Sequence, residues 1–373
     1  MTGFRFIHTS DLHLGRRFAN IPQPPDGNVR GRLMEARHGA IARLAAAARG
    51  QGAQDILLAG DTFDTTTPSP AVIRQTLAAM AEAEPLRWWM LPGNHDNLRD
   101  AEPLWDTIRR EGPPNVHALT EAAPMKLAPG VVLLPCPIEW RSGGRDPSAA
   151  MVDMPSAEGD LRIGLAHGGV ADFDEDGAAI APDRDRSAGL DFLALGDWHG
   201  RMQVGPRVHY SGTPEQDRFK HDRRGVCLAV EIQGQGAAPQ VEEVETGAFL
   251  WTQREMVLAP RQDAEAALEA ALPGSARRDT LLRVHVSGWS GLAERTRLQE
   301  SATRRGPEFA HFDLRTDALG THYDPEDLDE IDRAGALRLA ADMLMEEAGS
   351  ASDGDVAADA LARLYAYTRE GTQ

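Results

Sequence analysis

Cysteine is almost missing from this chain: Cys136 and Cys227 are the only two in 373 residues. Each lies inside an apolar run, which argues against a disulfide framework or a thiolate zinc site and predicts buried free thiols in a cytoplasmic protein. No run of 18 or more apolar residues occurs, so nothing reads as a membrane span. Phe4-Arg5-Phe6-Ile7 enters a strand pattern at once, leaving no room for a signal peptide. Aromatic residues make up 6% of the chain, and no aromatic-rich strand offers a surface for base stacking, so sequence-specific reading of nucleic acid is not expected. Positive charge is also short, with 39 Lys and Arg against 57 Asp and Glu and a net charge of −18. That excludes loose, whole-surface attraction to nucleic acid, and any such substrate would need a local basic patch.

What is present is ordinary globular composition, 42% hydrophobic and 26% charged, in a length suited to two or three domains. Residues 1–200 alternate short apolar runs with helical patterns, the signature of a layered α/β domain. Strands are expected at 4–9, 55–60, 86–91, 131–136, 161–166 and 191–196, and helices at 31–49 and 70–83. From 207 to 232 the pattern turns β-rich, and a Gly/Gln/Pro-rich stretch at 233–240 then interrupts it. Residues 254–319 read as a small β-α-β-α-β lobe, with strands near 254–259, 280–287 and 311–316 and helices near 262–272 and 292–305. Two helical patterns, 326–348 and 355–369, follow, with apolar stripes Leu337/Ala341/Leu344 and Val356/Ala360/Leu364/Tyr367 expected to pack on the parent domain. The domain boundaries expected are 1–245, 250–322 and 326–373.

Chemistry concentrates in five segments at expected strand ends: Asp11-Leu12-His13, Gly60-Asp61-Thr62-Phe63-Asp64, Gly93-Asn94-His95-Asp96, Ala166-His167-Gly168 and Gly196-Asp197-Trp198-His199. Ligands at the carboxyl ends of strands are where open α/β sheets place their sites. Asp11, His13, Asp61, Asn94, His167, Asp197 and His199 together supply carboxylate, imidazole and amide donors without thiolate. That mixture suits two divalent ions, manganese first, with iron, zinc or magnesium as alternatives. A hydroxide bridging two such ions would attack a phosphoester. His95, next to Asn94, is placed to protonate the leaving oxygen, with Asp64 holding its other ring nitrogen. A lone Asp-x-His is usually a turn or cap, so the weight rests on the joint pattern. Of the remaining histidines, His8, His38, His117, His285, His311 and His322 lack such partners and read as structural or solvated.

In this order the segments resemble the calcineurin-like metallophosphoesterase superfamily. Within it the chain is similar to the SbcD nuclease family, the bacterial nuclease subunit of DNA-repair complexes with an SbcC-type ATPase. Thr9-Ser10-Asp11-Leu12-His13-Leu14-Gly15, Gly60-Asp61-Thr62-Phe63-Asp64-Thr65 and Tyr210-Ser211-Gly212-Thr213-Pro214 carry that likeness. The resemblance implies a layered β-sandwich metallophosphoesterase domain flanked by helices, a small α+β capping lobe and C-terminal helices. It implies one ion held by Asp11, His13, Asp61 and His199, and another by Asp61, Asn94, His167 and the residue at 197. The family usually has Gly-His-x-His where this chain has Gly196-Asp197-Trp198-His199, and the extra carboxylate leans the site toward manganese.

Arg16 and Arg17 follow the first motif, and Arg218, Lys220, His221, Arg223 and Arg224 follow Tyr210–Pro214. Of these, Arg16, Arg17, Arg218, Lys220 and Arg223 are the candidate phosphate contacts. The acidic stretch Asp172-Phe173-Asp174-Glu175-Asp176 is a solvated loop or a repulsive rim that restricts access to strand ends. The expected function is a two-metal phosphodiesterase or nuclease acting on DNA in repair or end processing. The alternatives are a phosphoesterase on a small nucleotide, metabolite or phosphoprotein, and a weakly active structural subunit of an ATPase complex. Expected partners are DNA, an SbcC-type coiled-coil ATPase docked by the C-terminal helices, and a second copy in a homodimer, with no membrane.

Overall fold

The computed structural model describes residues 3–23, 27–141, 145–170, 180–260, 262–322, 335–348 and 354–370. In order, the first elements are β1 (Phe4–Thr9), α1 (Val29–Gly50), β2 (Asp55–Leu58), α2 (Pro70–Ala81), β3 (Arg87–Met90), α3 (Glu102–Glu111) and β4 (Val116–Ala118). Next come β5 (Met125–Ala128), β6 (Val131–Cys136), β7 (Leu161–His167), α4 (Arg184–Ser187) and β8 (Phe192–Gly196). Then follow β9 (Met202–Gly205), β10 (Val208–Tyr210), β11 (Val226–Ile232) and β12 (Gln240–Glu245). The last set is β13 (Leu250–Leu258), α5 (Ala264–Ala271), β14 (Thr280–Gly291), α6 (Leu292–Arg305), β15 (His311–His322), α7 (Ala336–Ala348) and α8 (Gly354–Glu370). The chain divides into two units, Met1–Leu250 and Trp251–Gln373.

Two six-stranded mixed sheets make the first unit, in the orders β12-β11-β1-β2-β3-β4 and β5-β6-β7-β8-β10-β9. Each has four parallel strands in succession, β1 to β4 in one and β6, β7, β8 and β10 in the other, with antiparallel strands at the edges. The period-2 alternation of a strand explains the layering. Ile7, Ile56, Leu58, Trp88 and Met90 face one way, toward Ile41, Leu44, Leu77 and Trp105 of the helices. Their neighbours Phe6, Leu57, Trp89 and Leu91 face Leu133, Ile163, Leu165, Phe192 and Ala194 of the other sheet. Val132, Leu134, Leu193 and Leu195 cover that sheet's outer face with Met151, Ile180 and Leu190. Strands buried on both faces read as continuous apolar runs, which is why they were legible.

Helix α2 starts where Ser69 accepts from Val72 N, with Pro70 at its first position, a favourable N-terminus. Helix α3 is absent from the expected elements, although Leu104, Trp105 and Ile108 form its buried face. Strand β12 was hidden because its sequence, Gln-Val-Glu-Glu-Val-Glu, is largely exposed at the sheet edge. Both cysteines are buried free thiols, pushed up to about 12 by burial. No helix among the described residues is long and apolar enough to cross a membrane.

The second unit holds the three-stranded sheet β13-β14-β15. Leu268 of α5 and Leu298 of α6 pack with Leu282, Val284 and Val286 of β14. In α8 the buried stripe is Ala357/Leu361/Tyr365, while Val356 and Tyr367 are exposed. The expected stripe is thus rotated by about one residue; both sets have i, i+4 spacing, and packing with Leu292 and Ala341 decides between them. Residues 323–334, which include the start of the first expected C-terminal helix, lie outside the described residues, as do the acidic stretch Asp172–Asp176 and residues 24–26.

A buried polar peg joins the two sheets. His8, fully buried on β1, donates from Nε2 to the Leu195 carbonyl of β8 at 3.0 Å and meets Phe192 edge-on. Phe192 also stacks on His209 at 5.2 Å. Burial lowers His8 to about 3 and His209 to about 4. Both lie below the unfolded value of 6.5, so the unfolded chain binds more protons and stability falls as pH drops from about 6.5 toward those values. His8→Gln keeps a donor toward Leu195 but does not titrate. Urea midpoints measured from pH 7 to 4 should fall less steeply in that variant, and an unchanged slope would remove His8 as a cause.

Candidate metal centre

Every candidate ligand sits at the carboxyl end of a strand within a parallel set. Asp11 and His13 follow β1, Asp61 follows β2, Asn94 follows β3, His167 closes β7, and Asp197 and His199 follow β8. The turns that bring them inward are strained, with φ of 56° at Asp11, 43° at His13, 54° at Asp61 and 102° at Asp197. Positive φ in non-glycine residues costs of order 1–3 kcal/mol each and clusters at functional sites. Backbone bonds hold the turns, Asp11 N to Gly60 O at 3.1 Å and His13 N to Asp61 O at 2.9 Å. Gly196 is needed for close approach, since a Cβ there would lie 1.9 Å from the Ala59 carbonyl. That same carbonyl accepts from His167 Nδ1 at 2.8 Å and so turns Nε2 toward the centre.

The donors converge in two overlapping groups. His13 Nε2 and His199 Nε2 are 3.1 Å apart, and Asp11 Oδ1 lies 3.9 and 3.8 Å from them. Asp61 Oδ2 lies 3.6 Å from His13 Nε2 and 3.5 Å from His167 Nε2, so it faces both groups. His167 Nε2 is 3.6 Å from Asp197 Oδ1, which accepts from Asn94 Nδ2 at 3.0 Å. Donors around one ion at about 2.0–2.2 Å stand roughly 3–3.5 Å apart, so this is close to a ligand-like spacing. Asp11, His13, Asp61, His167 and His199 are all buried.

The electrostatics call for cations here. Burial alone would lower His167, yet Asp61, Asp11 and Asp197 outweigh it and raise the imidazole to about 9. Burial drives His13 well below its usual value, aided by His199, Arg37 and His95, so it is a neutral donor. Neither His167 Nε2 nor Asn94 Oδ1 has a hydrogen-bond partner among the described residues, an expensive state for buried polar atoms. These residues fit two divalent ions. Asp11, His13, Asp61 and His199 would hold one, and Asp61, Asn94, His167 and Asp197 the other.

A family model for calcineurin-like phosphoesterases matches residues 4–199, more than half of the chain. The chain belongs to that family. It is 26% identical over 235 residues to the uncharacterized metallophosphoesterase YhaO of Bacillus subtilis (strain 168), a match covering 59% of this chain and 55% of that protein. The chain thus spans about half the length of the curated relative it matches. Among solved structures it matches the crystal structure of TT1561 of Thermus thermophilus, with a TM-score of 0.40, 11% identity, and coverage of 65% of this chain and 99% of that one.

The His95 contact differs from expectation. His95 Nδ1 bonds the backbone carbonyl of Asp64 at 2.9 Å, not its carboxylate. Asp64 N is tied to Leu14 O, and its carboxylate turns to His13 Nδ1 at 3.4 Å and Arg16 at 3.5 Å. A carbonyl can only accept, so Nδ1 carries the proton and Nε2 is left for other chemistry.

Three supporting residues escaped the sequence. Asp217, fully buried, bonds His199 Nδ1 at 3.0 Å. Burial would raise its pKa, but the His199 bond, Arg37 and Arg16 hold it well below the carboxylate range. Arg37, buried in α1, reaches the carbonyls of Asp11, Leu12 and Glu215 and lies 3.5 Å from Asp217. Asp96 accepts from Gly93 N at 2.7 Å and Phe63 N at 3.1 Å, joining two ligand loops. The available signal was Arg37, a charged residue on the apolar face of α1; Asp217 is marked out only by its burial beside His199.

The candidate phosphate contacts divide. Arg16 lies 3.2 Å from Asp217, and Arg218 lies 3.1 and 3.3 Å from the ring nitrogens of His199, so both are at the centre. Arg17 is exposed. Lys220 stands over the Trp198 ring, 4.0 Å from its centroid. Arg223 pairs instead with Glu243 of β12, because the edge strand offers it a nearer carboxylate. Asp217→Asn should fold yet weaken manganese binding roughly 10- to 100-fold by calorimetry, as expected when a carboxylate behind a ligating histidine is lost; unchanged affinity would make Asp217 merely structural.

Proposed function

We propose that the chain is a metal-dependent phosphodiesterase that cleaves DNA, a nuclease of the SbcD type. The observation that carries this reading is how the Tyr210–Pro214 segment, which bears the likeness to that branch, engages the first metal loop. Thr213 Oγ1 donates to Asp11 O at 2.9 Å, and Ser211 Oγ lies 3.1 Å from Ser10 Oγ. Arg16 and Arg218 supply charge for phosphates beside the centre.

A pair of divalent ions, when bound, polarises the phosphoryl oxygens and acidifies water. The chain's own residues orient and transfer protons. Asp217 fixes the ring of His199, and the Ala59 carbonyl fixes that of His167. His95 is only partly buried, unlike His13, His167 and His199, so it is the imidazole a substrate can reach. Having taken up a second proton from solvent, its ring delivers the Nε2 proton to the departing oxygen and returns to the neutral form, while Nδ1–H stays on the Asp64 carbonyl. A cytoplasmic setting suits the two free thiols, and an SbcC-type ATPase and a second copy of the chain are the proposed partners.

A second reading, a small phosphorylated substrate, is favoured by the net charge of −18 and by the pairing of Arg223 with Glu243 and Arg224 with Glu245. End-labelled linear DNA with manganese separates the two. Wild type should degrade it, and His95→Ala should be slower by roughly 10²–10⁴-fold with metal content retained. A wild-type protein that holds two ions, leaves DNA intact and hydrolyses p-nitrophenyl monoesters would establish the second reading.

A further inference from the structure

We propose that Trp198 is a stacking platform for a base of the substrate, with Lys220 and Arg218 meeting the adjoining phosphates. The inference rests on the nuclease reading and adds a residue that sets specificity for nucleotides.

Trp198 lies between two candidate ligands, Asp197 and His199, yet is 36% exposed while His199 is buried. A lone exposed apolar side chain is ordinary on a surface. This one differs in bordering a polar centre, with cations beside it and its ring held in place. His221 meets it edge-on, with centroids 5.6 Å apart and planes at 71°. Gly200 makes the room: a Cβ there would lie 2.6 Å from His221 Nδ1 and 2.9 Å from Trp198 Nε1. A ring fixed before binding loses little entropy when a base stacks on it.

The charges around the ring match a nucleotide. The Lys220 ammonium is 4.0 Å from the ring centroid, a cation–π contact it can exchange for a phosphate. Arg218 lies against His199 and Asp217 at the centre. A guanidinium on His199 and an ammonium over the Trp198 indole thus offer partners to a scissile phosphate, its neighbour and a base. Stacking needs only a π-face, so the platform favours nucleotides over other phosphoesters without reading sequence.

The test compares binding of a short oligothymidylate with an abasic deoxyribose-phosphate oligomer of equal length, using the full chain with manganese in a His95→Ala background that holds back turnover. With Trp198 present, the thymidylate should bind roughly five- to a hundredfold tighter than the abasic chain, the range for one stacked base. Trp198→Ala should erase that preference, and Trp198→Phe should keep most of it, which guards against simple misfolding. Equal binding of the two oligomers in the presence of Trp198, or a preference that survives Trp198→Ala, overturns the platform. Cleavage of DNA by the His95-intact protein is scored separately. A preference that follows Trp198 in a chain that cleaves no DNA leaves the subsite standing while the nuclease reading falls.

Discussion

Burying Asp11 and Asp61 side by side, away from water, is the demand that the rest of the molecule answers. An ionised carboxylate in a low-dielectric interior is costly unless it is paired or coordinates a metal. The chain meets this cost with strand ends from both sheets, which deliver imidazoles and an amide to the same spot. Burial drives the Asp61 carboxyl well above its usual value, so a cation at its side is what keeps it ionised. Arg37 and Asp96 then tie down the loops, so that turns with positive φ persist at four ligand positions.

The convergence of the candidate ligands was legible because its local chemistry is plain: apolar strand, small residue, polar side chain, repeated at successive strand ends. A strand end fixes where a side chain emerges, whatever its long-range partners. Contacts that depend on the path of a loop were not legible. Asp64 serves His95 through its carbonyl because its carboxylate turns toward His13 and Arg16, a choice made by the backbone. Asp217 looked like one more acid in an acidic chain, and only burial beside His199 distinguishes it. In α8 two stripes had equal helical spacing, and tertiary packing alone selected Ala357, Leu361 and Tyr365.

Charge is distributed unevenly. The chain is strongly acidic, yet the cations nearest the centre, Arg16, Arg37 and Arg218, gather around Asp217. Others in the same stretch, Arg223 and Arg224, are drawn to the acidic edge strand β12. Basic residues adjacent in sequence therefore face different tasks: Arg218 lies against Asp217 and His199, while Arg223 and Arg224 pair with the edge strand.

The candidate ligands come from opposite halves of the sandwich: Asp11, His13, Asp61 and Asn94 from one sheet, and His167, Asp197 and His199 from the other. Metal held by both halves would also be a clasp. A ligand that binds only the folded chain stabilises it by about 2.7 kcal/mol at a hundred times its dissociation constant. Newly made copies that have not captured their ions would open more often at that rim and present it to proteases. The centre that equips the protein for chemistry would then also decide its lifetime, with metal supply setting abundance.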